Sequence, residues 1–421
     1  MKNTQKTSWL PIVMMILLFG MIGFVTNIAA PAGTIWMNKY EGSSAIGMLG
    51  NLMNFLAYLV MGVPAGLLLQ KVGYKKTALT AIIVGFCGVG IQFLSGKLSG
   101  DFGFVVYLIG AFVAGFSMCM LNTVVNPMLN EIGGGGKKGG MLLQIGGSFN
   151  SLLGTIAPVF VGALIGQVTK ETVFADINLV LYISMAIFAV VGIVLALVDI
   201  PEPEVENDGT EAKSPWKFRH FVLGAVGIFI YVGVEVGIPG TMKFFLENLK
   251  DGALNPSAAG TVAATYWFLM LIGRLAGAGI AAKVSSRNLL AVAASVAIVL
   301  VCTGMLLPQS ISVSMPVFSN FHFAMQVVPI NALFFVLVGL CTSVMWGGIF
   351  NLAVEGLGAS VKQAAGIFMM MVVGGGVLPL LQNGIVDWTG GNYLLSYTVP
   401  LAGLAYLLFY ALAGSKNVSK K

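Results

Sequence analysis

Charge is what this chain has least of. Asp, Glu, Lys and Arg together supply 9% of its 421 residues, where a soluble domain carries about a quarter. That shortfall excludes a soluble globular domain, a nucleic-acid-binding surface and a disordered chain. Cysteine is also scarce: Cys87, Cys119, Cys302 and Cys341 all fall inside apolar stretches without CxxC spacing. Buried free thiols are expected there, with neither a disulfide framework nor a metal site. HExxH, P-loop and nucleophile-elbow signatures are missing, so ATP-driven transport and membrane hydrolysis lack their parts. No enzyme, no cofactor and no nucleic-acid partner are expected.

Apolar residues are what the chain has in quantity, at 57%. A membrane span needs about 20 predominantly apolar residues. Twelve segments qualify: 9–36, 45–70, 77–96, 104–130, 140–166, 177–198, 218–246, 257–282, 288–307, 329–353, 363–386 and 393–413. The first runs on from Trp9 without a small-residue cleavage site, so it reads as a span and not as a signal peptide. Glycine, at 55 residues, is often spaced as in Gly62–Gly66, which suits helices whose backbones approach closely in lipid. Pro64, Pro127, Pro158 and Pro379 lie within spans, where neighbouring helices satisfy the freed carbonyls.

Positive charge sets the orientation. With the N-terminus inside, the inner ends hold sixteen Lys and Arg and the outer loops five: Lys39, Lys97, Lys170, Lys243 and Lys250. The positive-inside rule then puts both termini in the cytoplasm of a bacterial inner membrane. Residues 199–217 mix Pro, Gly and acidic side chains without apolar periodicity, and read as a cytoplasmic linker. They divide the chain into 1–198 and 218–421, each with six spans. The outer loop 308–328 is expected to carry a short surface helix, with His322 as a solvated loop residue.

The two halves resemble each other at matching places. Lys71-Val72-Gly73-Tyr74-Lys75 aligns with Lys283-Val284-Ser285-Ser286-Arg287, and Gly115, Glu131 and Lys138 align with Gly339, Glu355 and Lys362. Both matches keep the same orientation. A parallel repeat of two six-span halves is the layout of a rocker-type transporter, with its substrate near the midplane at the interface of the halves. The expected fold is therefore all-α: twelve transmembrane helices in two pseudo-symmetric six-helix bundles.

Glu235 and Arg274 are the only ionisable side chains that this segmentation places deep in the bilayer. A charge there costs a few kcal/mol or more and survives where it faces a bundle interior or a water path. Glu235, near the middle of its span, suits either a proton carrier or a structural hydrogen bond or ion pair. Arg274 lies several residues nearer the cytoplasm, where a role holding carbonyls at an inner gate outweighs substrate binding. Asn51, Asn54 and Tyr58 share one face of the second span at i, i+3, i+7. Ligand contact and interhelical hydrogen bonding are balanced readings for them.

The stretch from Gly66 through Lys71 and Gly73 to Lys75 and Lys76 resembles the loop 2–3 signature of the major facilitator superfamily, with Gln70 where most members carry Asp. Further motifs resemble its fucose–galactose–proton symporter branch. They are Tyr58 to Gly66, Asn126-Pro127, Phe149-Asn150-Ser151 with Ile156-Ala157-Pro158, Tyr231 to Glu235, Tyr266-Trp267 with Ile272-Gly273-Arg274, and Val373-Gly374-Gly375 with Pro379 to Gln382. The resemblance implies the major facilitator fold, alternating access and import of a fucose-, glucose- or galactose-like monosaccharide, with gating or structural roles for Gly66, Lys71, Gly73, Lys75 and Arg274. It also implies that spans 1, 4, 7 and 10 line a cavity flanked by 2, 5, 8 and 11. Fucose permeases carry an Asp in span 1 and a Glu in span 4; here the corresponding stretches offer Asn27 and Asn122, and Gly147 stands where a Gln is expected.

A sugar site needs amide donors and acceptors and an aromatic platform. Asn27, Asn122, Gln144, Asn150 and Gln382 are the hydroxyl-binding candidates, Trp267 and Trp346 the platforms, and Glu235 the ion-coupling candidate. A co-transported proton, a co-transported Na⁺ and uncoupled passage all stay open. So do a nucleoside or drug as substrate, and a membrane sensor, for which the linker and tail are too short. A monomer is expected.

Overall fold

The structure, a computed structural model, describes residues 9–40, 44–98, 100–134, 136–165, 171–200, 202, 214–254, 256–319 and 322–416. In a bilayer every backbone amide needs an internal partner, and a helix provides one within each segment. Nine helical stretches among the described residues are long and apolar enough to cross a membrane, and one of them, Leu52–Ser95, has the length for two crossings. That stretch belongs to α2 (Ser44–Ser95), in which Gly73 alone breaks the helix at φ 83°, ψ 178°. Only glycine enters that region at no steric cost, so one residue suffices to separate the second span from the third.

The chain forms two compact packing units, and they do not follow the sequence halves throughout. The first comprises residues 1–135, 152–213 and 358–370; the second comprises 136–151, 214–357 and 371–421. The first part of span 5 thus packs with helices of the C-terminal half, and the first part of span 11 with helices of the N-terminal half.

In the first unit, α1 (Trp9–Lys39), α2, α3 (Gly100–Ile132), α5 (Asn178–Leu197) and α11 (Val361–Met370) pack around α2. The small-residue spacing of the second span is used here: a Cβ on Gly66 would come 3.0 Å from the Cα of Gly366 in α11. At the other end of α1, the Tyr40 hydroxyl donates to Asp101 Oδ1 at 2.6 Å, which pushes the phenol pKa up to about 12.

In the second unit, α6 (Arg219–Glu247) packs on α7 (Pro256–Ala281), α10 (Met345–Val354), α12 (Gly374–Trp388) and α14 (Thr398–Phe409). α8 (Ser286–Leu306) lies against α9 (Ile330–Thr342) and α14, while α13 (Tyr393–Ser396) opens the last span. The tenth span is broken between α9 and α10 at Ser343–Val344, and the eleventh between α11 and α12 at Met371–Val373. α4 (Gly136–Ile165) contributes its first half to this unit and its second half to the other.

Two expectations are corrected. Cys119 and Cys341 are buried as expected, but Cys87 is exposed and Cys302 half-buried, because an apolar position in a span need not be covered by protein. The loop 308–328 holds a β-hairpin where a surface helix was expected: β1 (Ser312–Ser319) pairs antiparallel with β2 (His322–Pro329), Val313 opposite Val328 and Met315 opposite Gln326. Ser312-Val-Ser-Met-Pro-Val alternates with period two, not 3.6, and Pro316 cannot donate in a helix interior. His322 accordingly starts a strand and is not a loop residue.

Candidate functional site

The polar interior of the second unit centres on one ion pair. Arg274 Nη2 lies 3.3 Å from Glu235 Oε1, with the two side chains only 10% and 13% exposed. Glu235 stands mid-way along α6, and Tyr231, one turn earlier, donates its hydroxyl to the same Oε1 at 2.8 Å. Spacing i, i+4 on a helix sets these two groups on one face. Arg274 then reaches α4: its Nη1 donates to the Gly147 carbonyl at 2.9 Å and to Ser151 Oγ. A Cβ at Gly147 would meet Arg274 Cδ at 3.4 Å, an ordinary van der Waals contact, so the guanidinium packs directly against this turn of α4. One guanidinium therefore ties α4, α6 and α7 together through a fork that only Arg presents.

Around the pair the groups are uncharged. The Tyr231 ring meets Trp346 of α10 with centroids 6.1 Å apart. Tyr266 is fully buried and shares a 2.8 Å hydrogen bond with Thr342 Oγ1, and its ring is edge-on to Trp267 at 5.5 Å. Gln144 is buried and donates to the Val344 carbonyl at 3.0 Å. That carbonyl lies just before α10 and also accepts the Gly348 N–H at 3.3 Å. Gln144 thus serves as a brace between α4 and the start of α10 in this structure. Asn150 is half-buried on α4.

Gln382 has the opposite character. It is 1% exposed, yet its Nε2 has no hydrogen-bond partner among the described residues. Its amide lies against α6, where a Cβ on Gly237 would come within 2.6 Å of Oε1. A buried donor without a partner costs roughly 1–3 kcal/mol and calls for an explanation such as a ligand or water.

In the first unit, Asn122 of α3 is buried, and its Nδ2 donates to Tyr58 of α2 at 2.8 Å and to the Met118 carbonyl at 3.1 Å. Asn126 donates to the Asn122 carbonyl at 2.8 Å, one turn back along the same helix. Asn122 and Tyr58 are thereby brought together. Asn27 lies on α1 with its side chain outside the described residues.

A second cluster lies at the loop between the second and third spans. Glu202 of the linker accepts from the Tyr74 backbone N–H at 2.6 Å through Oε1, and its Oε2 pairs with Lys362 at 3.2 Å. Tyr74 is fully buried and donates its hydroxyl to Glu131 at 3.1 Å, while Lys75 Nζ donates to the Ala196 carbonyl at 2.9 Å. Lys71 is exposed. Where the loop signature lacks its usual acid at Gln70, a carboxylate from the linker stands against Gly73 and Tyr74. Repeat matching had singled out Glu131 and Lys362, but no pattern in the linker marked Glu202. The Glu202–Lys362 pair is partly exposed, so E202Q should lower stability by only about 0–1 kcal/mol. A thermal-shift measurement at low and high salt checks this; the difference should shrink as salt rises.

A Major Facilitator Superfamily profile matches residues 13–378. The chain belongs to that superfamily. It is a multi-pass membrane transporter and not an enzyme. It is 30% identical to the glucose/galactose transporter of Brucella abortus over 424 residues, covering 99% of this chain and 96% of the relative. It is 20% identical to the L-fucose-proton symporter of Escherichia coli over 396 residues, covering 85% of this chain and 82% of that one. The crystal structure of the E. coli fucose:proton symporter FucP superposes with a TM-score of 0.78 at 18% identity, covering 96% of this chain and 98% of that one. This likeness shows the twelve-span facilitator fold.

Proposed function

We propose that this chain carries a monosaccharide of the glucose, galactose or fucose type into the cell by alternating access, coupled to a proton. The observation that carries the sugar reading is end-to-end kinship with a glucose/galactose transporter, in a chain whose buried polar groups are chiefly amides, hydroxyls and aromatics. A monosaccharide offers hydroxyls and one weakly apolar face, and such groups satisfy it without the cost of burying charge. Gln382 is the leading ligand group, because its buried donor is unspent. Trp346, beside Tyr231, is the platform, with Trp267 and Asn150 as further contacts. Gln144 has its donor committed to Val344 and acts as a brace. Both termini face the cytoplasm of a bacterial inner membrane in this reading, and the protein works as a monomer.

Glu235 is the proton carrier. Its pair with Arg274 and Tyr231 gives protonation a structural consequence: neutralising the carboxyl removes the ionic part of the bond to Arg274 while leaving Arg274 bonded to Gly147 and Ser151 of α4. The test is uptake of labelled glucose, galactose and fucose into proteoliposomes under separately imposed proton and Na⁺ gradients. Accumulation driven by the proton gradient supports the reading. Sugar passage indifferent to both gradients would favour a facilitator, and no passage of any of the three sugars would overturn the substrate assignment. Q382A should raise the apparent KM by about 5- to 30-fold, as expected for one lost ligand hydrogen bond worth 1–2 kcal/mol. An unchanged KM would remove Gln382 from the site.

A further inference from the structure

The hairpin β1–β2 is the one element that neither the repeat nor the transport reading absorbs. Residues 307–330 contain no Asp, Glu, Lys or Arg, and His322 is their only titratable side chain. The strand register sorts the side chains by face. Met315, Val317 and Val328 turn inward and are 3%, 3% and 1% exposed. Phe323, Met325 and Val327, at alternate positions of β2, turn outward and are 60%, 65% and 59% exposed. A loop standing in water has no reason to present three large apolar side chains in a row.

The stripe continues onto a spanning helix. The Phe323 ring lies edge-on to Phe268 of α7, with centroids 5.6 Å apart. Phe268 shares a helix face, at i, i+4 and i+7, with Ile272 and Leu275, which are 42% and 59% exposed. An exposed aliphatic face on a membrane helix is its lipid face. Phe268 stands twelve residues into α7 from Pro256, about 18 Å along the axis at 1.5 Å per residue. The base of the hairpin is pinned at the rim, since Asn331 beside it donates to the Gly304 and Leu307 carbonyls at 2.7 and 2.8 Å. The hairpin therefore slopes from the rim of the bundle towards the bilayer interior.

We propose that this hairpin is a membrane-surface anchor whose side chains Phe323, Met325 and Val327 sit among the lipid acyl chains. Its two strand edges carry unpaired backbone groups, which excludes the hydrocarbon centre. Pro316 removes one of those donors. The base of the hairpin accordingly lies at headgroup level, where water reaches the edges, and its far end, with Phe323 against Phe268, reaches deepest. This is the sheet counterpart of an interfacial amphipathic helix, which buries its apolar face about 5–10 Å. On the orientation given by the Lys and Arg distribution, the leaflet is the outer one.

The test places a nitroxide at Cys-substituted Met325 or Val327, in the full chain with its four native cysteines replaced, reconstituted in phosphatidylcholine vesicles. Collision rates are read with oxygen, which partitions into acyl chains, and with a nickel chelate, which stays in water. Oxygen is expected to exceed the nickel chelate several-fold at both positions, with the reverse at Lys250 in the loop after α6. Nickel dominance at 325 and 327 would overturn the proposal in favour of a water-facing surface. Silence towards both reagents would overturn it in favour of a protein partner, including a second copy. Should the label disturb the hairpin, hydroxyl-radical footprinting of the unsubstituted chain in vesicles gives an independent reading. Met325 is expected to escape oxidation, and oxidation as heavy as at a water-exposed methionine would sink the idea.

Discussion

Replacing Arg274 with methionine is expected to cost more stability than any other single charge removal in this protein, and to abolish transport. The substitution leaves the Glu235 carboxylate buried with the Tyr231 hydroxyl as its one remaining partner among the described residues, and removes the Arg274 hydrogen bonds to the Gly147 carbonyl and Ser151. Breaking a buried pair from one side costs about 3–5 kcal/mol, because the penalty is the stranded charge. E235Q should be milder: an amide keeps a hydrogen bond to Tyr231, and Arg274 retains its two partners on α4. The double variant E235Q/R274M should recover much of the loss, since no uncompensated charge is left in the bilayer. Thermal unfolding of the four proteins closes a double-mutant cycle, and losses that simply add would show that the two side chains are not coupled. Transport separates the remaining roles. If E235Q keeps full proton-driven accumulation, Glu235 is a structural partner of Arg274 and not the carrier.

This pair also marks how far the sequence could be read. Composition and hydropathy made both charges conspicuous, because lipid leaves few reasons for an ionised side chain to stand in a span. Their positions along α6 and α7 were legible from helical rise. Their contact was not, since it depends on how α6 and α7 are rotated towards each other. Tyr58 and Asn122 were each singled out, but a hydrogen bond between spans two and four is a fact of packing. The fold itself was accessible because twelve apolar runs, a polar linker and a parallel repeat are all patterns of composition. The hairpin was misjudged because its period-two alternation lies within a loop short enough to pass for irregular structure. Glu202 was invisible for a different reason. Its role rests on two long-range partners, Tyr74 and Lys362, and nothing adjacent in sequence announces them.

The fate of single glycines offers the sharpest test of how the first unit is packed. In an exposed helix interior, Gly→Ala stabilises by roughly 0.5–1 kcal/mol through reduced backbone freedom in the unfolded chain. At Gly279 of α7 no heavy atom lies within 4 Å of an added Cβ, so G279A should follow that rule and raise the melting temperature slightly. At Gly366 of α11 the same methyl would lie 2.7 Å from the backbone N and Cα of Gly66 and closer still to the Gly62 carbonyl. Those atoms belong to a helix backbone and cannot rotate aside as a side chain would. α11 must then move away from α2, giving up the close contact that stands in for hydrophobic driving force between helices in lipid. G366A is therefore expected to lose about 1–3 kcal/mol, opposite in sign to G279A. Hydrogen exchange should rise across 361–370 before it rises elsewhere in the first unit. Equal and favourable effects at both positions would mean that α2 and α11 do not meet through Gly62, Gly66 and Gly366, and the assignment of residues 358–370 to the first unit would fall with that contact.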